Sequence, residues 1–427
     1  MWAARRRKRI IRNICLAILS IVIAAGLFIA LSMAQKKTDE YHLTLSQEYS
    51  KQQTEQTNAK QSLVNRIEAD YQRDMDTVSE YLPGIVCWGD TLTAGSSGTI
   101  SYPYILKKYI ETYICDIYDF MSSVENADEF SFLDWDKYKV DIPVINMGVA
   151  NEDTNTVLGR SGVIPYVIAE DVTIPSEVKP VEIKILSQNG KAVTPLSGGN
   201  GGVNSVTING IKGTLILDSL DSNESFRWNN IPSYSFTRLE EGEEIPVEKG
   251  TPIITAASDM YKDYIHIVCI GTCGGYETAN ELTEQIRLLL SRQTSNTDRY
   301  LVLGICYDRG WKNMSKFDTA FVQAFGERYI NIRDYLCSDG MVDAGLTLTN
   351  EEKQEVAAGI VPGRLRSSSG GPGLSARAYK LIGKIVYERM DQLGYFDEVK
   401  TELNIVESQK KAIKDDPDYF SSIIRNW

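Results

Sequence analysis

After residue 83, short apolar runs alternate with segments of helical spacing. The runs are "GIVCWGD" (84–90), "PVINMG" (143–148), "YIHIVCIGT" (264–272), "RYLVLGICY" (299–307) and "YINI" (329–332). Their apolar residues are continuous rather than alternating, which is typical of strands buried on both faces. Continuous strands separated by helices predict a parallel sheet covered on both sides. In such sheets ligands bind beyond the carboxyl ends of the strands, so candidate chemistry is sought there.

A segment of different pattern, roughly 165–256, interrupts this alternation. It contains alternating stretches such as "VEIKIL" and "SYSFTRL", together with turn signals at Asn189-Gly190 and Asn209-Gly210. Alternation with such turns predicts an inserted small β-domain. The stretch "GGNGG" at 198–202 lacks the Lys-Ser/Thr of a phosphate loop and is interpreted as a hairpin loop.

The N-terminal region predicts a membrane anchor. Residues 14–34 carry no charge, and a helix of this length spans about 30 Å, the thickness of the hydrocarbon core. Six Lys and Arg residues precede the run, which predicts a cytoplasmic N-terminus and an extracellular remainder at the cell membrane. The alternative is a cleaved signal peptide, with Ser32-Met33-Ala34 as its cleavage site. Because the run exceeds the usual length of a signal core, a retained single-pass helix is preferred.

The chain between the anchor and the first strand predicts a helical stalk or linker. Residues 35 to about 60 are polar, whereas the spacing of apolar residues from Val64 to Leu82 predicts a helix packed on the body and ended by Pro83-Gly84. A charged helical tail follows residue 395. The predicted organisation is therefore basic segment 1–13, transmembrane helix 14–34, stalk 35–83, α/β domain 84–164, β-domain 165–256, α/β domain 257–395 and tail 396–427.

Charge and metal-ligand composition narrow the function classes. Removing the six N-terminal basic residues from the 45 Lys and Arg leaves 39 against 57 Asp and Glu, which argues against nucleic acid as a partner. The seven cysteines and two histidines fit no zinc spacing, and nothing else indicates a cofactor. An exported chain would tolerate disulfides, although no cysteine spacing requires them.

Three motifs at strand ends, and a fourth near the C-terminus, carry a family resemblance. They are "GDTLTAG", "INMGVANEDTNTVLGR", "IGTCGGY" and "VPGRLRSSSGGPGLSARAYKLIGKIVYERMDQLGYF". In this order they resemble the sequence blocks of the SGNH (GDSL-type) hydrolases, over residues 84 to 395. The resemblance implies a flavodoxin-like α/β/α sandwich, and an ancestral activity of ester hydrolysis on carbohydrates or lipids. It also accommodates the inserted β-domain and requires no cofactor.

The resemblance assigns the catalytic roles to positions at which most of the family's side chains are replaced by others. The family's nucleophilic serine corresponds to Thr91, its oxyanion glycine to Gly148 and its oxyanion asparagine to Cys273. Its aspartate and histidine correspond to Gly370 and Gly373. A hydroxyl nucleophile needs a positioned base and oxyanion donors, so no catalytic residue is confirmed by this correspondence. The candidates for a ligand cleft are Asp90, Thr91, Gly148, Cys273 and Gly274.

No other residue supplies the missing base in the sequence. His42 precedes the body and His266 lies within an apolar run, where a packed core residue is expected. The sequence therefore predicts a catalytically inactive, membrane-anchored pseudoenzyme that binds a cell-wall or capsular glycan, or a surface protein. One alternative is an active O-acyl esterase that uses Thr91 with an unrecognised base. Another is that the β-domain is the working surface and the α/β body carries it.

Overall fold

The architecture is taken from a computed structural model of the full chain. It describes residues 2–95, 100–118, 133–193, 196, 200–218, 232–294, 298–307, 314–367 and 373–414. The chain divides into two compact units, one formed by residues 1–72 with 413–427 and the other by residues 73–412.

The first unit consists of most of one long helix. Helix α1 runs without interruption over Trp2–Tyr81, so the predicted anchor, stalk and amphipathic helix belong to one element that ends just before Pro83. The apolar side chains of the predicted anchor are exposed, as for Leu27 and Phe28. Within the described chain, α1 is the helix long and apolar enough to cross a membrane, although a signal sequence near the N-terminus can meet the same criterion.

The second unit is built on a five-stranded parallel sheet. Its strands are β1 (Ile85–Gly89), β2 (Val144–Gly148), β11 (Ile265–Cys269), β12 (Tyr300–Leu303) and β13 (Tyr329–Ile330). They lie in the order β2-β1-β11-β12-β13, and every neighbouring pair is parallel. The predicted parallel sheet is therefore confirmed, with all five predicted strands in it.

Helices connect and cover these strands. They are α2 (Thr91–Ala94), α3 (Tyr102–Tyr113), α4 (Thr154–Arg160), α5 (Ala279–Leu290), α6 (Asp318–Phe325), α7 (Ile332–Cys337), α8 (Asp339–Asp343), α9 (Asn350–Ala357), α10 (Ala376–Gln392) and α11 (Asp397–Lys414). On one face Trp88 and Val268 pack into a core with residues of α4, α5 and α6. On the other face Tyr102 of α3 is buried with its hydroxyl 3.3 Å from Thr93 Oγ1, and Gly383 lets α10 approach α3 closely.

A closed barrel occupies the segment between β2 and β11. Its antiparallel strands, in the order β10-β3-β5-β8-β7-β6, are β3 (Tyr166–Ile168), β5 (Val181–Leu186), β6 (Val206–Ile208), β7 (Ile211–Leu217), β8 (Ser233–Arg238) and β10 (Pro252–Ile254). Strands β4 (Val172–Ile174) and β9 (Ile245–Val247) pair separately. The inward side chains, which include Tyr234 and Phe236, form their own apolar core.

The turns of the barrel confirm one sequence prediction and correct another. Asn209 and Gly210 join β6 to β7 with φ values of 48° and 80°, as expected of a two-residue hairpin turn with left-handed residues. Of the "GGNGG" stretch, residues 200–202 are described, and they do not close a hairpin between β5 and β6, because these strands are not neighbours in the barrel. Instead Gly201 lies against Arg160 of α4, and a Cβ at this glycine would lie 2.6 Å from the guanidinium.

Candidate functional site

The carboxyl ends of β1, β2 and β11 bring three predicted site segments together. Gly89 is in register with Gly148 on one side and with Cys269 on the other, so the strands end at the same level. Asp90 and Thr91 follow β1, and the segment of Cys273 follows β11. Strand β1 lies between β2, the next strand of the sheet along the chain, and β11, which follows later. The strand order therefore reverses at β1, and parallel sheets bind ligands at such a point.

Asp90 serves as a buried anchor for the loops of the site. One carboxylate oxygen accepts a hydrogen bond from Leu92 N at 3.2 Å and so caps α2. The other accepts from Gly271 N at 3.0 Å and Thr272 N at 2.8 Å in the loop after β11. Burial raises the pKa of Asp90 to about 6, although these backbone donors oppose the shift. Its oxygens are directed at backbone N–H groups, so Asp90 positions the site.

The Thr91 hydroxyl has two hydrogen-bond partners in the described chain. Its oxygen accepts the Asn151 N–H at 2.8 Å and lies 3.4 Å from Cys273 Sγ. Neither a thiol nor a backbone N–H removes a proton from a hydroxyl at neutral pH. Thr91 and Cys273 therefore lie together at this edge, and the described residues that contact the Thr91 hydroxyl include no base.

The backbone N–H that faces Thr91 belongs to Asn151, whereas the N–H of Gly148 is bonded within its own strand. Gly148 N donates to Asn146 Oδ1 at 2.9 Å, and the amide nitrogen of Asn146 donates to Thr93 O at 3.0 Å. Asn151 has a φ of 66°, in the left-handed region that Asn tolerates, and this conformation aims its N–H at Thr91. Asn146 and Asn151 were not foreseen from the sequence; a polar residue within or just after an apolar run was the available signal.

Gly148 has a steric role that the structure makes clear. A Cβ at this position would lie 2.3 Å from Ala94 N and 2.5 Å from Thr93 C, both in the backbone of α2. Glycine is therefore required for the close approach of β2 to the segment that carries Thr91.

The loop that carries Cys273 is held against the start of α4. Thr154 N donates to Gly274 O at 3.0 Å. Gly275 O accepts three side-chain hydrogen bonds, from Thr154 Oγ1 at 2.9 Å, Asn155 Nδ2 at 3.2 Å and Gln285 Nε2 at 3.0 Å. Gly274 has a φ of +84° and open space at its Cβ position, so it shapes the loop without narrowing the cleft.

The last predicted site segment is described in part. Gly370 lies outside the described residues. Gly373 lies at a short bridge in which Arg366 pairs with Leu374, and its carbonyl accepts Ser367 N at 2.9 Å. A Cβ at Gly373 would meet Ser367 Cβ at 3.6 Å, an ordinary contact, so this position has room for a side chain.

His266 and the Tyr307 phenol, both buried, are unsuited to act as a base at Thr91. His266 is buried in β11, three residues before the strand ends, which is about 10 Å along the sheet. Its Nε2 lies 3.1 Å from Tyr261 O, and burial lowers its pKa to about 4. Tyr307 is buried, and burial raises its pKa, so its phenol stays protonated. His42 is exposed on α1.

A buried ion pair underlies the site and connects it to the barrel. Glu152 and Arg160 have side chains 1% and 0% exposed, and their closest atoms are 2.8 Å apart. Arg160 also donates to Met147 O at the end of β2 and to Gly201 O in the barrel segment, both at 2.9 Å. Its guanidinium lies over the Trp88 ring. The pair therefore fixes the loop after β2, which carries Asn151, relative to the barrel.

Cation-ligand chemistry is not indicated at this edge. Among the described residues, no group of three or more His, Cys, Asp or Glu side chains is arranged to hold a metal ion.

Comparison with known proteins gives a single distant likeness. No family model matches the chain, and no curated protein matches it. A solved structure described as "Peptidoglycan O-acetylesterase in action, 5 min" matches with 11% identity and a TM-score of 0.25, over 76% of this chain and 95% of that chain. A likeness of this size says nothing about activity, so the functional argument depends on the site geometry.

Proposed function

We propose that the protein is a catalytically inactive, SGNH-like module of the cell surface that binds a glycan or a protein ligand. The observation that carries this proposal is the environment of Thr91, whose oxygen faces a backbone N–H and a thiol where an esterase needs a base. The amide that would complete an oxyanion hole is replaced by Cys273 in the family correspondence. Both the proton acceptor and one oxyanion donor are thus missing from the described site.

The architecture supports the proposed SGNH-like identity. Numbered along the chain, the sheet strands lie in the order 2-1-3-4-5, which is the flavodoxin-like doubly wound order. Helices α4, α5 and α6 cover one face, and α3 and α10 lie on the other, as in an α/β/α sandwich. Three motifs of the resemblance lie at the ends of the first three sheet strands, and the fourth extends through α10.

The proposed location is the outer face of the cell membrane. The uncharged run within α1, preceded by six basic residues, supports a single-pass anchor with a cytoplasmic N-terminus. The second unit, residues 73–412, would then be displayed outside the cell, where glycans and surface proteins are available as ligands.

Ester hydrolysis by the full chain in detergent micelles tests the proposal. With p-nitrophenyl acetate and acetylated sugars as substrates, we expect turnover at the rate of the Thr91→Val variant, which keeps the shape of the side chain and loses its hydroxyl. Turnover above that of Thr91→Val would establish the alternative, an esterase that uses Thr91.

Restoring the family's side chains tests the residue correspondence. The four changes are Thr91→Ser, Cys273→Asn, Gly370→Asp and Gly373→His. Gly373 has room for a side chain, so its substitution is compatible with the fold. Gain of hydrolysis in the combined variant, absent when Thr91→Val replaces Thr91→Ser, would support the correspondence. A folded but inert product would count against it.

A further inference from the structure

A cleft of about 300 Å³ lies between α4 and the first hairpin turn of the barrel. Asn155 and Leu158, which are three residues apart and so share a face of α4, form one wall together with Ile164. The other wall consists of the consecutive residues Ser187, Gln188 and Asn189. The volume is at the lower end of the roughly 300–1,000 Å³ of small-molecule sites, which suits one small ring.

The barrel wall of the cleft is held rigidly by its own hydrogen bonds. Ser187 N donates to Lys191 O at 2.9 Å, and Gly190 N donates to Ser187 O at 2.8 Å. The Ser187 hydroxyl accepts Lys191 N at 3.1 Å and donates to Asn189 Oδ1. Because this turn is already ordered, a ligand would bind without the entropic cost of ordering it.

Several amide groups of the cleft are available to a ligand. Asn155 uses its Nδ2 to hold Gly275 O, which leaves Oδ1 as an acceptor. Within the described part of the chain, the Gln188 side-chain amide and Asn189 Nδ2 make no hydrogen bond, so donors and an acceptor remain. The described lining residues include none that is charged, and Leu158 and Ile164 supply an apolar surface.

We infer that this cleft binds a neutral, hydroxyl-rich saccharide. Side-chain amides both donate and accept, as sugar hydroxyls do, and the apolar wall suits the C–H face of a sugar ring. An anionic glycan is disfavoured because the lining has no cation and the chain has a net charge of −12. A peptide strand is disfavoured because the hairpin backbone at the cleft is already paired internally. The inference rests on the proposed binding function and assigns it a ligand class and a place.

The cleft is also connected to the degenerate site. Asn155 contributes to its wall and holds Gly275, two residues after Cys273. A saccharide seated in the cleft would therefore lie beside the loop that positions the Cys273 thiol.

Titration of the full chain in a sugar-free zwitterionic detergent tests the inference. The probes are chitotetraose and cellotetraose as neutral saccharides, a heparin tetrasaccharide as an anionic one, and tetra-alanine as a peptide, each followed by calorimetry. We expect a neutral probe to bind, and Gln188→Ala to weaken it about 5- to 10-fold through lost hydrogen bonds. Gln188→Trp, which fills the cleft, should abolish binding, whereas the exposed control Gln354→Ala should leave it unchanged.

The outcomes separate this inference from the proposed function. Saccharide binding that both Gln188 variants leave intact, preference for heparin or tetra-alanine, or no binding of any neutral probe would overturn the cleft assignment. Hydrolysis of esters that depends on Thr91 would overturn the non-catalytic proposal, whatever the cleft binds.

Discussion

The buried pair of Glu152 and Arg160 gives a stability prediction whose size follows from its geometry. Arg160 Nε and one terminal nitrogen lie 2.8–3.2 Å from the carboxylate, and both side chains are shielded from water. In Glu152→Gln the side chain keeps its shape and loses its charge, so a buried guanidinium is left without a counter-ion. Breaking a buried pair in this way costs about 3–5 kcal/mol of unfolding free energy.

Urea unfolding of the full chain, followed by tryptophan fluorescence, measures this loss. With a slope of about 3 kcal/mol per M, the midpoint should fall by about 1–1.7 M. The control is Glu170→Gln, because Glu170 and Lys184 form a pair of similar length, 3.0 Å, with side chains 57% and 37% exposed. An exposed pair of this kind contributes about 0–1 kcal/mol.

Replacing both partners separates the charge from the packing. Glu152→Leu combined with Arg160→Met removes both charges and keeps apolar volume, so it should recover much of the stability lost in Glu152→Gln. The reasoning would be refuted if Glu152→Gln moved the midpoint no further than Glu170→Gln. It would also be refuted if the double replacement were less stable than the single one.

Three further predictions concern the site itself. Burial raises the pKa of Asp90 from 3.8 to about 6, so its contribution to the unfolding free energy is full below about pH 4 and falls by about 3 kcal/mol as the pH rises through 6. Urea midpoints measured across this range should show this fall, and an equal pH dependence in Asp90→Asn would contradict the prediction. Gly148→Ala should lower the unfolding free energy by about 1–3 kcal/mol, because the added methyl group meets the backbone of α2, whereas Gly373→Ala should change it by less than about 0.5 kcal/mol. Calorimetric melting that ranks the two variants otherwise would refute the steric argument. Iodoacetamide at pH 8 should label the half-buried Cys273 well before Cys269, whose pKa burial raises, and peptide mass spectrometry that finds equal rates would count against the buried environment.

Local patterns in the sequence were sufficient for the sheet strands and for several boundaries. The five continuous apolar runs each contain one strand of the parallel sheet, because burial on both faces imposes the pattern directly. The turn at Asn209-Gly210 and the end of α1 before Pro83 follow from backbone preferences of single residues. The pairing of Thr91 with Cys273 also followed, because both were placed at ends of strands that proved to be neighbours.

Features that depend on distant contacts were not available from the sequence. The closure of the barrel joins strands β6 and β10, and the contact of Gly201 with Arg160 joins residues 41 positions apart; no local pattern encodes either. The resemblance assigned the oxyanion glycine to Gly148, whose N–H is bonded to Asn146 Oδ1. The N–H that faces Thr91 comes from Asn151 in the turn after β2, and glycine at 148 is required for packing.

The first and last strands of the barrel lie side by side, and this has an evolutionary consequence. Tyr166 in β3 is in register with Ile253 in β10, so the chain leaves the α/β body and returns to it at nearly the same point. In its attachment to the host sheet the module resembles one surface loop, the kind of place where insertions are tolerated. Such a module can be acquired in a single genetic event, and its outer surface can then diversify while the contact of Gly201 with the buried Arg160 keeps it joined to the scaffold.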